Sequence, residues 1–91
     1  MKFELGRLVV TRTINDDIAD SNQFAKDVYE SIAKYTNCDW GETHEADKPL
    51  NDEAVKTGDR IVAAYETSRG KIWIITEYDR SVTTILYPEE Y

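Results

Sequence analysis

Residues 60–87 read RIVAAYETSRGKIWIITEYDRSVTTILY. Three runs rich in β-branched and aromatic residues, 60–66, 71–78 and 81–87, are separated by Thr67-Ser68-Arg69-Gly70 and by Asp79-Arg80. Short apolar runs punctuated by polar turns predict an antiparallel meander. A two-residue turn at Asp79-Arg80 would place Ile72, Ile74, Thr76 and Tyr78 on one face with Ser81, Thr83, Ile85 and Tyr87. Trp73, Ile75 and Glu77 then share the other face with Val82, Thr84 and Leu86. Asp-Arg lacks the Gly or Asn that positive φ favours in a tight hairpin, so the turn is the weak point of this register. Both faces are partly apolar, and each needs a cover.

Upstream, residues 5–14 carry Leu8, Val9, Val10, Thr11, Thr13 and Ile14, which predicts a fourth strand with Gly6 at its start or at a bulge. Asn15 with Asp16 and Asp17, and then Asp20 with Gln23, offer helix-start signals. Phe24, Val28, Ile32 and Tyr35 recur at helical spacing and predict the main amphipathic helix over 21–35. Residues 37–48 lack periodicity, so Cys38-Asp39-Trp40-Gly41 reads as a loop that tucks one ring inward. Pro49 suits the first turn of a short second helix that puts Leu50 and Ala54 on one face and stops at Gly58 in a left-handed cap. The expected fold is a single α+β domain over 1–91, a four-stranded antiparallel sheet carrying one main and one short helix, in the order β-α-α-β-β-β. Leu50 and Ala54 are small anchors for a whole sheet face. The remaining apolar surface therefore predicts a homodimer, or an equivalent complex, built on the sheet or its edge.

The 91 residues include 11 basic and 18 acidic side chains, for a net charge of -7, and 41% are hydrophobic with only 4 Gly and 2 Pro. That composition fits an ordinary folded domain. A lone Cys38 cannot form an internal disulfide, which points to the cytosol. Lys2, Glu4 and Arg7 break the start of the chain before a signal peptide's apolar region would form, and no window suits a membrane span. Net negative charge opposes direct binding to nucleic acid or anionic lipid, and Arg60, Arg69, Lys71 and Arg80 are interleaved with Glu66, Glu77 and Asp79. The expected partner is a protein or a small molecule.

Cys38, Asp39, His44, Glu45 and Asp47 include every common metal-ligand type, but one Cys and one His do not supply the N and S ligands of a structural zinc site, so no metal is expected. No hydroxyl or thiol partner for His44 as a general acid or base is placed by the sequence, and Asp39 disfavours a Cys38 thiolate unless His44 folds back onto it. The four glycines are scattered singly, without the pattern of a phosphate-cradling loop, so no nucleotide cofactor is expected. Glu77, Asp79, Arg80, Ser81, Thr83 and Thr84 form a dense polar stretch. It reads either as a ligand site, where Arg and hydroxyls meet an anion, or as a turn whose Asp caps backbone amides. Asp39, Glu42, Glu45, Asp47, Asp52 and Glu53 predict an acidic surface, and Tyr87-Pro88-Glu89-Glu90-Tyr91 either a docking peptide or a frayed end.

Cys38-Asp39-Trp40-Gly41, Asp47, Asn51, Arg60, Tyr65, the run Trp73 to Glu77, Asp79-Arg80-Ser81, Thr83-Thr84 and Pro88-Glu89-Glu90-Tyr91 together resemble a family of small bacterial proteins described as hypothetical or plasmid-related. The likeness spans nearly the whole chain. It implies a bacterial cytoplasmic setting and an association with mobile elements, and brings no activity with it. The family's middle segment reads as an unbroken charged helix, where this chain has Pro49. The expected function is a non-enzymatic accessory protein acting through protein-protein contact, as an acidic inhibitor or nucleic-acid mimic, with Trp40, Glu77, Asp79, Arg80, Ser81 and Thr84 as candidate contact residues. The alternative is a small-molecule or nucleotide-binding module sited at the Asp79-Arg80 turn.

Overall fold

Thr11 divides the expected first strand in two. In the computed structural model, which describes residues 2–91, its hydroxyl accepts the backbone N–H of Ile14, so the chain leaves β1 (Arg7–Val10) directly into α1 (Arg12–Asp20). The N-cap bond at Thr11 and the helical spacing of Ile14 and Ile18, both set against the core, outweigh the β propensity of Thr13 and Ile14. Asn15, Asp16 and Asp17 therefore lie inside a helix and do not start one. Ser21 caps α2 (Asn22–Thr36) in the same way, accepting from Phe24 N–H, and Phe24, Val28 and Tyr35 are buried as their spacing requires. The third helix, α3 (Lys48–Thr57), starts around Pro49 and ends at Gly58, whose φ of 83° supplies the left-handed cap. The described residues thus form three α-helices where two were expected.

The sheet is completed by β2 (Ile61–Thr67), β3 (Gly70–Thr76) and β4 (Val82–Leu86), in the spatial order β1-β4-β3-β2. The meander is antiparallel, but β1 joins β4 in parallel, with Val9 opposite Thr84, so the expectation of an all-antiparallel sheet is corrected to a mixed one. Two local fits bring β1 to that edge. Gly6, at φ 64°, lies so close to the Arg80 and Ser81 backbone that an added Cβ would sit 2.2 Å from the Arg80 carbonyl oxygen. The Thr83 hydroxyl donates to the Leu5 carbonyl at 2.7 Å. Register in the β3-β4 hairpin pairs Ile74 with Ile85 and Thr76 with Thr83, the alignment expected from the turn. The strained position falls on Arg80, which takes φ 58°.

The helices cover the face formed by Ile61, Ala63, Tyr65, Ile72, Ile74 and Ile85, and the core contains one polar chain. Tyr35 Oη lies 2.6 Å from Thr76 Oγ1, which lies 2.8 Å from Thr83 Oγ1. A carbonyl can only accept, so Thr83 spends its proton on Leu5. Thr76 must then donate to Thr83, and Tyr35 to Thr76. This one-directional relay joins α2, β3, β4 and the segment before β1, and every member of it has its partner. At the other end of the sheet Arg69, in the β2-β3 turn, bridges Asp17 and Asp20 of α1 at 2.8 and 2.7 Å, and Asp27 of α2 accepts the Ser68 N–H.

The second sheet face is largely covered by the chain itself. Ile75 and Leu86 are only 3% and 5% exposed. Pro88–Glu90 form a short 3-10 turn that folds back and sets the Tyr91 ring edge-on to Trp73, 5.5 Å between centroids. The tail therefore folds onto the sheet, and the apolar surface left on this face is smaller than the sequence suggests, centred on the half-buried Val62, Ala64 and Trp73.

Candidate functional site

The middle segment is built around the free edge of β2. Asn51, the buried polar residue of α3, donates its amide to the Val62 carbonyl at 2.9 Å and accepts the Val62 N–H. Thr43 accepts the Ala64 N–H at 2.9 Å, and Glu42 N–H donates to the Ala64 carbonyl at 2.8 Å. From Val62 to Ala64, every backbone group that faces away from β3 is thus paired, and the edge is closed to another strand. Gly41 makes the approach feasible: at φ 58°, its missing Cβ would lie 2.4 Å from the Tyr65 ring.

This construction fixes the fate of several candidate residues. Trp40 is buried, with its indole N–H donated to Asp52 and its ring against Tyr35 and Phe3, and so belongs to the core. The polar cluster at the β3-β4 turn is dispersed. Arg80 turns under α3 and donates to the carbonyls of Ala54, Asp59 and Glu77, compensating the helix C-terminus while its guanidinium faces Phe3. Asp79 accepts both the N–H and the hydroxyl of Ser81, bonds that hold its carboxyl below the usual carboxylate range. Glu77 pairs with Arg60 at 3.5 Å, and Thr84 sits on the outer sheet face. Both terminal nitrogens of Arg80 are thus used on backbone carbonyls, and the arginine ties the turn to the end of α3.

What the segment places outside is acid. Asp39, Glu42, Glu45, Asp47, Asp52 and Glu53 are all exposed, as is Asp59, and between residues 39 and 59 these seven carboxylates face only Lys48 and Lys56. Lys48 is committed to Glu45 at 2.8 Å, a contact that lowers the Glu45 carboxyl. Among the described residues Glu42 and Asp47 make no ion pair, and Asp47 stands at the N-cap of α3 without making the capping bond. Among the described residues no three His, Cys, Asp or Glu side chains converge as metal ligands. Cys38 is half-buried, and burial pushes its thiol pKa up, away from a reactive thiolate.

Beside the acidic segment, the outer sheet face forms a groove of about 590 Å³. Val62, Ala64 and Trp73 make its floor, with Leu50, His44 and Asp47 on the α3 side and Pro88 opposite. Leu50, expected as a core anchor, is 65% exposed at this rim because Asn51 takes the inward position. Arg60 closes one end, held by Glu77 and by the Tyr91 hydroxyl at 2.8 Å, with its guanidinium over the Tyr91 ring. Lys71, at the other end, lies directly across the ladder from Glu66. Neither Leu50 nor Trp73 was singled out from sequence as a groove residue; alternation along β3 placed Trp73 on this face, but nothing in the chain announced that the face would stay partly open.

No family model, curated protein or solved structure matches the chain. No helix among the described residues is long and apolar enough to cross a membrane.

Proposed function

We propose that this protein acts without chemistry of its own, by presenting its acidic 39–59 face to a basic surface of another protein. The observation that carries the reading is the arrangement of charge: seven exposed carboxylates against two lysines, displayed on a segment whose backbone work is to close a sheet edge. Such a face attracts surfaces that otherwise bind phosphates, which makes the protein an acidic competitor for a nucleic-acid-binding partner. The resemblance read from the sequence adds the setting, a cytoplasmic accessory of a bacterial mobile element. A small ligand in the groove is the second reading, favoured by the groove's apolar floor; a nucleotide at the Asp79-Arg80 turn is less favoured, because Arg80 already spends three of its five N–H donors on backbone carbonyls.

Affinity capture from a bacterial lysate at low and high salt, in parallel with the charge-reversed Glu42→Lys, Glu45→Lys, Glu53→Lys variant, tests this. A partner retained at low salt, released at high salt and absent with the variant supports the reading. A partner indifferent to both, or a ligand-induced rise in melting temperature with no protein partner, overturns it.

A further inference from the structure

Strand addition is blocked along the groove's edge from Val62 to Ala64, because Asn51, Thr43 and Glu42 already occupy the outward backbone groups of Val62 and Ala64. Recognition here must run through side chains, and the groove offers two kinds. Its floor is apolar, with the Trp73 ring held from behind by Tyr91, and Leu50 stands exposed on the rim. Its charges are unequal. Arg60 is paired with Glu77 and Lys71 lies opposite Glu66 in the ladder, while Glu42 and Asp47 form no ion pair among the described residues.

We infer that the groove takes a short cationic peptide segment of a partner protein, an apolar side chain seated between Trp73 and Leu50 and adjacent lysine or arginine side chains meeting Asp47 and Glu42. This rests on the acidic-face reading and adds to it an anchor and a place. A bare polycation satisfies the carboxylates but leaves the floor in contact with water. An acidic peptide meets Asp47 and Glu42 unfavourably, and of the groove's two cations Arg60 already has a carboxylate partner in Glu77. An amphipathic basic segment satisfies both.

Three synthetic peptides of equal length test it against the intact protein: one with a Leu-Phe pair flanked by lysines, one with lysines and no apolar residue, one with Leu-Phe flanked by glutamates. Binding is followed by titration calorimetry and by tryptophan fluorescence, with Trp73→Phe showing which ring reports, since Trp40 is buried. The inference predicts that the first peptide binds at least about tenfold tighter than either other. It also predicts that its fluorescence change vanishes in Trp73→Phe, that Leu50→Ala weakens it, and that a Glu42→Gln, Asp47→Asn variant weakens it and flattens its salt dependence. Equal binding of the two lysine peptides, unaffected by Leu50→Ala, overturns the groove while leaving the acidic face standing. Preference for the glutamate peptide, or no salt-dependent binding by any peptide, overturns the acidic-face reading as well. A groove filled by a second copy of the chain would appear as a dimer in sedimentation that the peptide dissociates slowly or not at all, and would equally overturn the inference.

Discussion

The two edges of the sheet are finished in opposite ways. Along β2, two side chains and one backbone amide close the ladder from Val62 to Ala64, and the segment that does so carries most of the net negative charge. Along β1, the Arg7 N–H donates to Ser81 just before β4 and the Thr11 N–H to Ile85 within it, so the N–H and C=O groups of the alternate residues Leu8 and Val10 face outward, without a hydrogen-bond partner among the described residues. That edge is protected by being only four residues long and by carrying Arg7, with Leu8 44% exposed. The contrast teaches that edge protection and surface recognition are coupled on the β2 side. A segment recruited to close a strand also brings an acidic wall and a rim, Asp47 and Leu50, to the neighbouring groove.

If the β2 edge depends on close approach of the 41–43 loop, Gly41→Ala is the most damaging small change. It sets a Cβ against the Tyr65 ring and forces an L side chain to φ 58°, and the two costs together should remove about 3 kcal/mol in denaturant unfolding. Loss well under 1 kcal/mol would mean that the loop is not seated as described. Asn51→Leu comes next. It leaves the Val62 N–H and C=O without partners at a half-buried edge and should cost about 2 kcal/mol.

On the β1 side the attachment is the ladder to β4 and the polar relay behind it. Thr83→Val strands both the Leu5 carbonyl and the Thr76 hydroxyl and should cost about 2 kcal/mol, whereas Tyr35→Phe removes only the terminal donor and should cost about 1 kcal/mol. The reverse order would contradict the donor direction. Leu8→Lys, at the exposed position of the same strand, should change stability by no more than about 0.5 kcal/mol.

The smallest effect is one of pH. Glu90 accepts the Tyr87 N–H and the Thr11 hydroxyl just beyond β1, and these bonds hold its carboxyl below its ordinary value. A carboxylate whose pKa is lowered by folding stabilises the fold above its unfolded pKa, and that contribution is lost as pH falls through the folded value. The stability difference between the wild type and Glu90→Gln should therefore be full near neutrality and shrink in acid. A difference that grows on acidification would contradict the bond.

Much of this architecture is legible in the chain. Periodicity places α2, Pro49 and Gly58 bound α3, and alternation in residues 71–87 yields the hairpin register. The parallel docking of β1 is not legible, because either edge of a three-stranded meander accepts a fourth strand, and the choice rests on tertiary fits at Gly6 and Thr83. Thr11 misleads because a β-branched hydroxyl residue suits both a strand and a helix cap. The site is less legible still. The acidic residues are visible as a cluster, but which of them flank a groove depends on Asn51 displacing Leu50 from the interior. The turn cluster dissolves because Arg80 and Asp79 spend their bonding on backbone, a use that local sequence does not separate from ligand binding.

Amide hydrogen exchange at residues 8, 10, 62 and 64, followed by NMR under native conditions, compares the two edges most directly. Pairing of the β2 edge predicts slow exchange at Val62 and Ala64, with Asn51→Leu accelerating Val62, and exchange at Leu8 and Val10 close to that of unprotected amides. Val62 and Ala64 exchanging as fast as Leu8 and Val10 would show the β2 edge open to strand addition, and the case for recognition through side chains over the groove would fall with it.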